Sequence, residues 1–241
     1  MRQYGRIGTA VSLTEQRQLE SDAMRSAGTV DFKLYLITDR RQTRSRTLSA
    51  IVEQALRGGV RAVQLRERDL PADELYRLAD EFRRITSQYG AKLLINERAD
   101  IARDVHADGV HLPESGISVG AARKIIGPER LIGVSCHSLD AARSAQKSGA
   151  DFITFGPVFF TPSKAVYGNP VGLERLAETS SALNIPVFGL GGINENNMLQ
   201  VMATGAFGVA LISAIMTAEQ PQVVTADMLK TLCPRKSSWI R

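Results

Sequence analysis

From Lys33 onward the chain alternates short continuous apolar runs with longer segments whose apolar residues recur every three and four positions. The short runs read as strands buried on both faces, and the three-and-four spacing as amphipathic helices. Leu34–Thr38 opens the series, and Leu48–Leu56 is the first helix, closed by Gly58-Gly59. Val60–Leu65 is the second strand. The helix after it carries Leu75, Leu78, Ala79, Phe82 and Ile85 on one face, with Pro71 suited to its first turn. Leu93–Asn96, Gly109–Leu112 and Leu131–Ser135 are the next strands, with helices expected over Ala99–Val105, Val119–Ile126 and Leu139–Ser148. The sixth strand starts at Ala150, leaves through Gly156-Pro157 and carries Thr161-Pro162-Ser163-Lys164 into a loop. Leu173–Leu183, Ile185–Leu190, Asn196–Thr204 and Ala206–Ile212 complete the alternation.

Four junctions share one cadence: Arg57-Gly58-Gly59-Val60, Ala107-Asp108-Gly109-Val110, Ser148-Gly149-Ala150-Asp151 and Thr204-Gly205-Ala206-Phe207. In each, glycine is expected to permit a left-handed helix exit before a buried strand. Eight strands alternating with helices in 241 residues predict a single closed (β/α)8 TIM barrel of the α/β class. An open doubly wound sheet is the competing architecture, but no GxGxxG follows the first strand. The expected division is a polar N-terminal extension over 1–31, the barrel over 32–220, and a C-terminal helix with a basic tail over 221–241, on or beside the barrel.

With 44% hydrophobic and 23% charged residues, the chain can bury one large core. No apolar run approaches the ~20 residues of a membrane span, and no signal-peptide core opens the chain, so a cytoplasmic protein without membrane contact is expected. Cys136 and Cys233 lack the spacing of a disulfide framework or zinc site. The net charge is +5, yet basic residues are dispersed among acids apart from modest clusters at Arg40–Arg46 and Arg235–Arg241. That pattern argues against nucleic acid and leaves two readings, a solvated surface or a site for phosphorylated anions.

A TIM barrel builds its site from the C-terminal ends of its strands. Leu190-Gly191-Gly192-Ile193, followed by Asn194 as a helix cap, and Ile212-Ser213 occupy the strand-seven and strand-eight exits, where backbone N–H groups commonly hold phosphate. Gln64, Arg66 and Arg68 alternate and so share one face of an extended segment. Two guanidiniums beside an amide suit a diphosphate, and rim ion pairing between Arg66 and Glu67 is the bland alternative. Asn96-Glu97-Arg98 offers one carboxylate that could ligate magnesium or simply face a helix N-terminus. His137 is a candidate acid/base, His111 a second histidine aimed at the mouth, and Lys164 a neutraliser of phosphate charge. Cys136 and His137 point oppositely along a strand, so they do not make a nucleophile pair.

These motifs, taken in order, resemble the thiamin phosphate synthase/TenI family from about Tyr35 to Ile215: Leu36-Ile37-Thr38-Asp39, Gln64-Leu65-Arg66-Glu67, Leu94-Ile95-Asn96, Asp108-Gly109-Val110-His111-Leu112, Gly133-Val134-Ser135 with His137, Phe155-Gly156-Pro157-Val158-Phe159 with Thr161-Pro162-Ser163-Lys164, Gly191-Gly192-Ile193, and Ile212-Ser213-Ala214-Ile215. The resemblance implies a transferase of thiamin biosynthesis that couples hydroxymethylpyrimidine diphosphate with thiazole phosphate, giving thiamin phosphate and pyrophosphate. It assigns Gln64, Arg66, Asn96, Ser135, Thr161, Ser163 and Lys164 to the pyrimidine or pyrophosphate. Gly191, Gly192, Ile212 and Ser213 fall to the thiazole phosphate. Arg68 stands where the family usually has lysine. Lys164, Arg66 and His137 are the catalytic candidates.

Magnesium is the cofactor the synthases imply, and here the pattern departs from theirs. Glu97 replaces an aspartate, and the second aspartate position is Gly116, with Glu114 two residues away. Glu97 and Glu114 are therefore the candidate ligands. His111-Leu112-Pro113 and the Cys136-His137-Ser138 region are more similar to TenI-like thiazole tautomerases, isomerases in which the residue matching His137 moves a proton on thiazole carboxylate phosphate. A non-catalytic phosphate-ligand sensor is a third reading. The synthase is placed first because Gln64, Arg66, Arg68, Asn96 and Thr161–Lys164 retain most of the diphosphate set. Barrels of this family often assemble, which admits a homo-oligomer.

Overall fold

The computed structural model describes residues 29–161 and 169–233. Eight parallel strands close on themselves in sequence order: β1 Leu34–Ile37, β2 Ala62–Leu65, β3 Lys92–Asn96, β4 Gly109–Leu112, β5 Leu131–Cys136, β6 Phe152–Phe155, β7 Val187–Leu190 and β8 Gly208–Leu211. Leu36 pairs with Val63 on one side and Leu211 on the other, which seals the barrel. Around it run α1 Leu48–Arg57, α2 Ala72–Gln88, α3 Ala99–Asp104, α4 Val119–Ile126, α5 Leu139–Lys147, α6 Gly172–Ala182, α7 Met198–Ala203, α8 Ser213–Met216 and α9 Pro221–Leu232. The strands are shorter at their starts than the apolar runs suggest, since Val60, Ile185 and Ala206 lie in the approach to a strand.

The strand residues divide between two cores. Val63, Leu65, Leu93, Ile95, Val110 and Ile153 face outward and meet helix residues such as Ile51, Ala55, Ala79 and Phe82. Tyr35, Leu94, Leu131, Phe152, Phe188 and Ala210 fill the barrel interior, with Phe32 packed among them. Burial on both faces explains why the strands read as continuous apolar runs instead of alternating ones. Ring packing inside requires a missing side chain opposite. A Cβ on Gly133 would stand 2.4 Å from Phe152 Cζ and 2.5 Å from His111 Nδ1.

Local capping fixes where helices begin. The hydroxyls of Thr47, Ser118 and Ser138 accept from the backbone N–H of Ala50, Ala121 and Ala141 at the starts of α1, α4 and α5. Two of the junction aspartates act alike at the N-terminal end of the barrel. Asp108 Oδ2 accepts from Leu93 N at 2.7 Å and pairs with Arg83 of α2; Asp151 Oδ2 accepts from Ile132 N at 2.6 Å and pairs with Arg123 of α4 at 2.7 Å. Each carboxylate ties a neighbouring strand's first amides to a helix. At the other side of α1, Arg46 donates to Met216 O and Ala218 O, satisfying carbonyls at the end of α8. Pro221 opens α9, whose Met228 and Leu232 are buried in the outer core. Among the described residues, no helix is long and apolar enough to cross a membrane.

Candidate active site at the barrel mouth

The barrel register brings the candidate residues to one end. Asn96 is the last residue of β3 and pairs with His111 on β4; Ser135 near the end of β5 pairs with Thr154 on β6. Gln64 pairs with Ile37 on β1 and Leu94 on β3. A buried polar chain then crosses the interior just below the mouth. Gln64 Nε2 donates to the Tyr35 hydroxyl at 3.1 Å, and that hydroxyl lies 3.4 Å from His111 Nδ1. On the other side His111 Nε2 is 3.0 Å from Ser135 Oγ, and Thr154 Oγ1 is 3.4 Å from both.

Chemistry orders the protons in this chain. The Gln64 amide fills one acceptor position of Tyr35, so the phenol donates to His111 Nδ1, and His111 carries its proton on Nε2 toward Ser135. His111 is fully enclosed, and burial, then the nearby Arg66 charge, pushes its pKa down to about 3. The imidazole is neutral. Gln64 Oε1 is left as an acceptor and Ser135 keeps its hydroxyl proton, so the interior presents one acceptor and one donor to whatever enters the mouth. Tyr35 and Thr154 are polar members of this site that the apolar runs concealed.

Above this layer sits Arg66, half-buried, at the β2 exit. Its guanidinium forms no ion pair or hydrogen bond among the described residues. Burial, followed by repulsion from Arg68, lowers its pKa from the usual arginine value, while Asp39, Glu67 and Glu97 pull the other way. A desolvated cation without a hydrogen-bonded partner is prepared for an anion. Arg68 is more exposed and pairs with Glu97 at 3.2 Å. Glu67 is not the rim partner of Arg66: it is buried, and its carboxylate accepts from Thr38 Oγ1 at 2.7 Å and from Arg40 N.

The β7 exit forms the opposite wall. Val158 N donates to Leu190 O at 2.8 Å and Phe159 N to Gly191 O at 3.0 Å, so the chain leaving β6 stays paired with the chain leaving β7. Gly191 and Gly192 have φ of 99° and 65°, and a Cβ on Gly192 would meet Phe159 Cβ and Phe160 O at 2.7 Å. Among the described residues the N–H groups of Gly191 and Gly192 make no backbone hydrogen bond. They suit an oxyanion, as does Ser213 at the first position of α8. Asn194 does not cap α7: its Oδ1 accepts from Asn196 N in a local turn, and Asn197 precedes the helix while donating to Gly192 O. Ile212 is the residue preceding α8. Thr161 ends the described part of the β6 exit, and Ser163 and Lys164 lie outside the described residues.

The two candidate metal ligands are placed differently. Glu97 follows Asn96 directly, with φ of 63°, and its side chain is 43% exposed beside Arg68. Glu114 Oε2 accepts from both His137 N at 2.9 Å and His137 Nδ1 at 2.8 Å. Among the described residues no three histidine, cysteine, aspartate or glutamate side chains converge as a metal-binding group. A lone carboxylate at Glu97 fits magnesium only where substrate phosphates and water complete the coordination, which is this ion's usual manner of binding. Cys136 is buried and its thiol is pushed up to about 12, chiefly by desolvation and then by Glu114. It is inert as a nucleophile.

The profile of a family described as Thiamine monophosphate synthase matches residues 34–215. A putative thiamine-phosphate synthase of Geobacter sulfurreducens is 57% identical over 206 residues, which is 86% of this chain and 97% of that protein. A thiamine-phosphate synthase of Roseiflexus sp. is 44% identical over 192 residues, 80% of this chain and 81% of that one. Among solved structures, the thiamine phosphate pyrophosphorylase from Pyrococcus furiosus is 37% identical with a TM-score of 0.77, covering 83% of this chain and 95% of that one. The matched segment runs from β1 into α8 and holds every mouth residue described above. The chain belongs to the thiamine monophosphate synthase family.

Proposed function

We propose that this chain is a transferase of thiamin biosynthesis: it joins hydroxymethylpyrimidine diphosphate to thiazole phosphate, yielding thiamin phosphate and pyrophosphate. The observation that carries the reading at the site is Arg66, a half-buried guanidinium without a hydrogen-bonded partner among the described residues, at a mouth where the N–H groups of Gly191 and Gly192 make no backbone hydrogen bond among the described residues either. The relatives named as thiamine-phosphate synthases support the same choice.

In this reaction the bond between the pyrimidine methylene carbon and the diphosphate oxygen breaks, its electron pair leaving with pyrophosphate. The thiazole nitrogen supplies the pair for the new C–N bond. No proton has to be removed from either reactant, so the residues that matter bind and orient. Arg66 and Arg68 would hold the diphosphate and meet the charge that grows on the leaving oxygen. Lys164, with Thr161 and Ser163, would bind it, as the resemblance implies. Gln64 Oε1 and the Ser135 hydroxyl match a flat ring that carries a donor and an acceptor, and Asn96 borders them. The turn at Gly191-Gly192 and the start of α8 at Ile212-Ser213 would seat the thiazole phosphate. Magnesium at Glu97 would neutralise phosphate charge.

The test is to incubate the purified protein with magnesium and both substrates and to follow thiamin phosphate and pyrophosphate. Stoichiometric formation of the two is the expected result; binding of thiazole phosphate with no coupling would sink the reading. One observation favours a second activity. A carboxylate can only accept, so the Glu114 contact keeps the proton of neutral His137 on Nδ1 and leaves Nε2 as a base. That is the equipment of the TenI-like thiazole tautomerase. Conversion of the thiazole carboxylate phosphate isomer, abolished by His137→Asn, would establish it.

A further inference from the structure

Glu67 is 4% exposed, a carboxylate almost wholly withdrawn from water. Such a group is retained only where hydrogen bonds replace its hydration. Here Thr38 Oγ1 donates at 2.7 Å, and Arg40 N donates to both oxygens at 3.2 and 3.1 Å, with the Arg40 guanidinium 3.6 Å away. Thr38 is itself fully buried, and its hydroxyl accepts from Arg66 N at 2.9 Å while donating to Glu67. The hydroxyl therefore links a buried charge to the backbone of the residue whose guanidinium stands ready at the mouth. Thr38 N also donates to Gln64 O at 3.0 Å, which brings the β2 exit against β1 on both sides of Leu65.

We propose that Glu67 and Thr38 are positioning residues that fix where Arg66 leaves the barrel and so set the affinity of the mouth for a diphosphate. The inference rests on the synthase reading above. A rim pair between Arg66 and Glu67 would have neutralised the guanidinium that the anion needs. Turning Glu67 inward onto Thr38 and the Arg40 amide keeps the carboxylate off Arg66 while still anchoring the main chain that carries it. Beyond Leu65 the β2 ladder has ended, and the Thr38 hydroxyl supplies the acceptor that a further strand residue would otherwise provide.

The experiment compares the full-length wild type with Thr38→Val, Thr38→Ser and Glu67→Gln. Binding of inorganic pyrophosphate with magnesium is measured by calorimetry, KM for each substrate by turnover, and folding by thermal melting. Thr38→Val removes the hydroxyl at nearly constant shape and is expected to weaken pyrophosphate about tenfold and raise KM for the diphosphate in proportion. KM for thiazole phosphate should stay within about twofold, and Thr38→Ser should restore pyrophosphate binding to within about twofold. Glu67→Gln keeps an acceptor for Thr38 but no charge, and its loss should fall between the two. Unaltered pyrophosphate affinity in Thr38→Val, or equal changes in both KM values accompanying a lowered melting temperature, would reduce the pair to a structural clamp. If wild type binds pyrophosphate, couples nothing and loses binding in Thr38→Val, the synthase reading fails and the positioning role stands. If wild type couples both substrates and Thr38→Val binds pyrophosphate normally, the reverse holds. Wild type that binds no pyrophosphate overturns both.

Discussion

His111 Nε2 lies 3.0 Å from Ser135 Oγ across the interface between β4 and β5, and the enclosed ring is held neutral with its pKa pushed down to about 3 from the ordinary 6.5. Between these two values the unfolded chain binds a proton that the native state refuses. Stability therefore rises with pH across that window and is complete above it. Lowering the pH from 7 toward 4 should cost up to about 1.4 kcal/mol per unit from this group once below its ordinary pKa. Urea unfolding across that range should show the slope in wild type and lose it in His111→Asn.

Gly192→Ala would add a Cβ 2.7 Å from both Phe159 Cβ and Phe160 O, at a φ of 65°. Strain and overlap together should destabilise the fold by about 1–3 kcal/mol. Thermal melting reports that loss. Steady-state kinetics should show KM for thiazole phosphate rising more than KM for the diphosphate.

Glu97→Gln should shift the magnesium concentration for half-maximal turnover upward by roughly tenfold, since the only charge in the candidate ligand position is gone. Its pair with Arg68 has side chains 43% and 49% exposed, so its removal should leave melting nearly unchanged. A magnesium titration that does not move would take Glu97 out of the metal site.

Asp108→Ala leaves Leu93 N without the carboxylate it donates to and takes the ionic partner from Arg83, which keeps its bonds to Ser87 Oγ, Ala91 O and His106 O. The carboxylate is about one-third exposed, so the loss should be moderate, about 1–2 kcal/mol by denaturant unfolding. The substitution sits at the end of the barrel away from the mouth, and kcat per folded molecule should be retained.

The barrel was readable because burial on both strand faces leaves an uninterrupted apolar run, and because glycines mark four strand approaches; Gly59, Gly149 and Gly205 take the left-handed conformation there, whereas before β4 it is His106 that does so and Gly109 is already in the strand. Strand ends alone nominate the mouth residues, and the register sets Asn96 beside His111 and Ser135 beside Thr154, with the His111 ring enclosed in the interior instead of facing the opening. What lay hidden were the side chains that act on other side chains. Tyr35 and Thr154 look like ordinary members of apolar runs, and only closure of the sheet brings β1, β2, β4, β5 and β6 around one histidine. Rim pairing of Glu67 with Arg66 stands in the sequence only as the alternative to a diphosphate site, and the inward turn of Glu67 onto Thr38 and the Arg40 amide is not legible there, because strand alternation gives the side a residue faces but not which neighbour awaits it. Asn194 has the residue type of a helix cap, but the turn it closes with Asn196 delays the helix to Met198.

The bonds from Val158 N to Leu190 O and from Phe159 N to Gly191 O tie together two loops that leave the barrel after the last strand pair of β6 and β7. That wall of the mouth is two laced loops, and a residue inserted into either between the strand end and its bonded atoms would part donor from acceptor. The segment between Leu112 and Ser118 makes no such main-chain bonds with its neighbours among the described residues. There His137 N and Nδ1 hold the Glu114 carboxylate, so position is set by main-chain bonds where the glycine turn must be presented and by one side chain where the β4 exit passes over the rim; residues 115–117, past Glu114, are where new sequence would disturb neither.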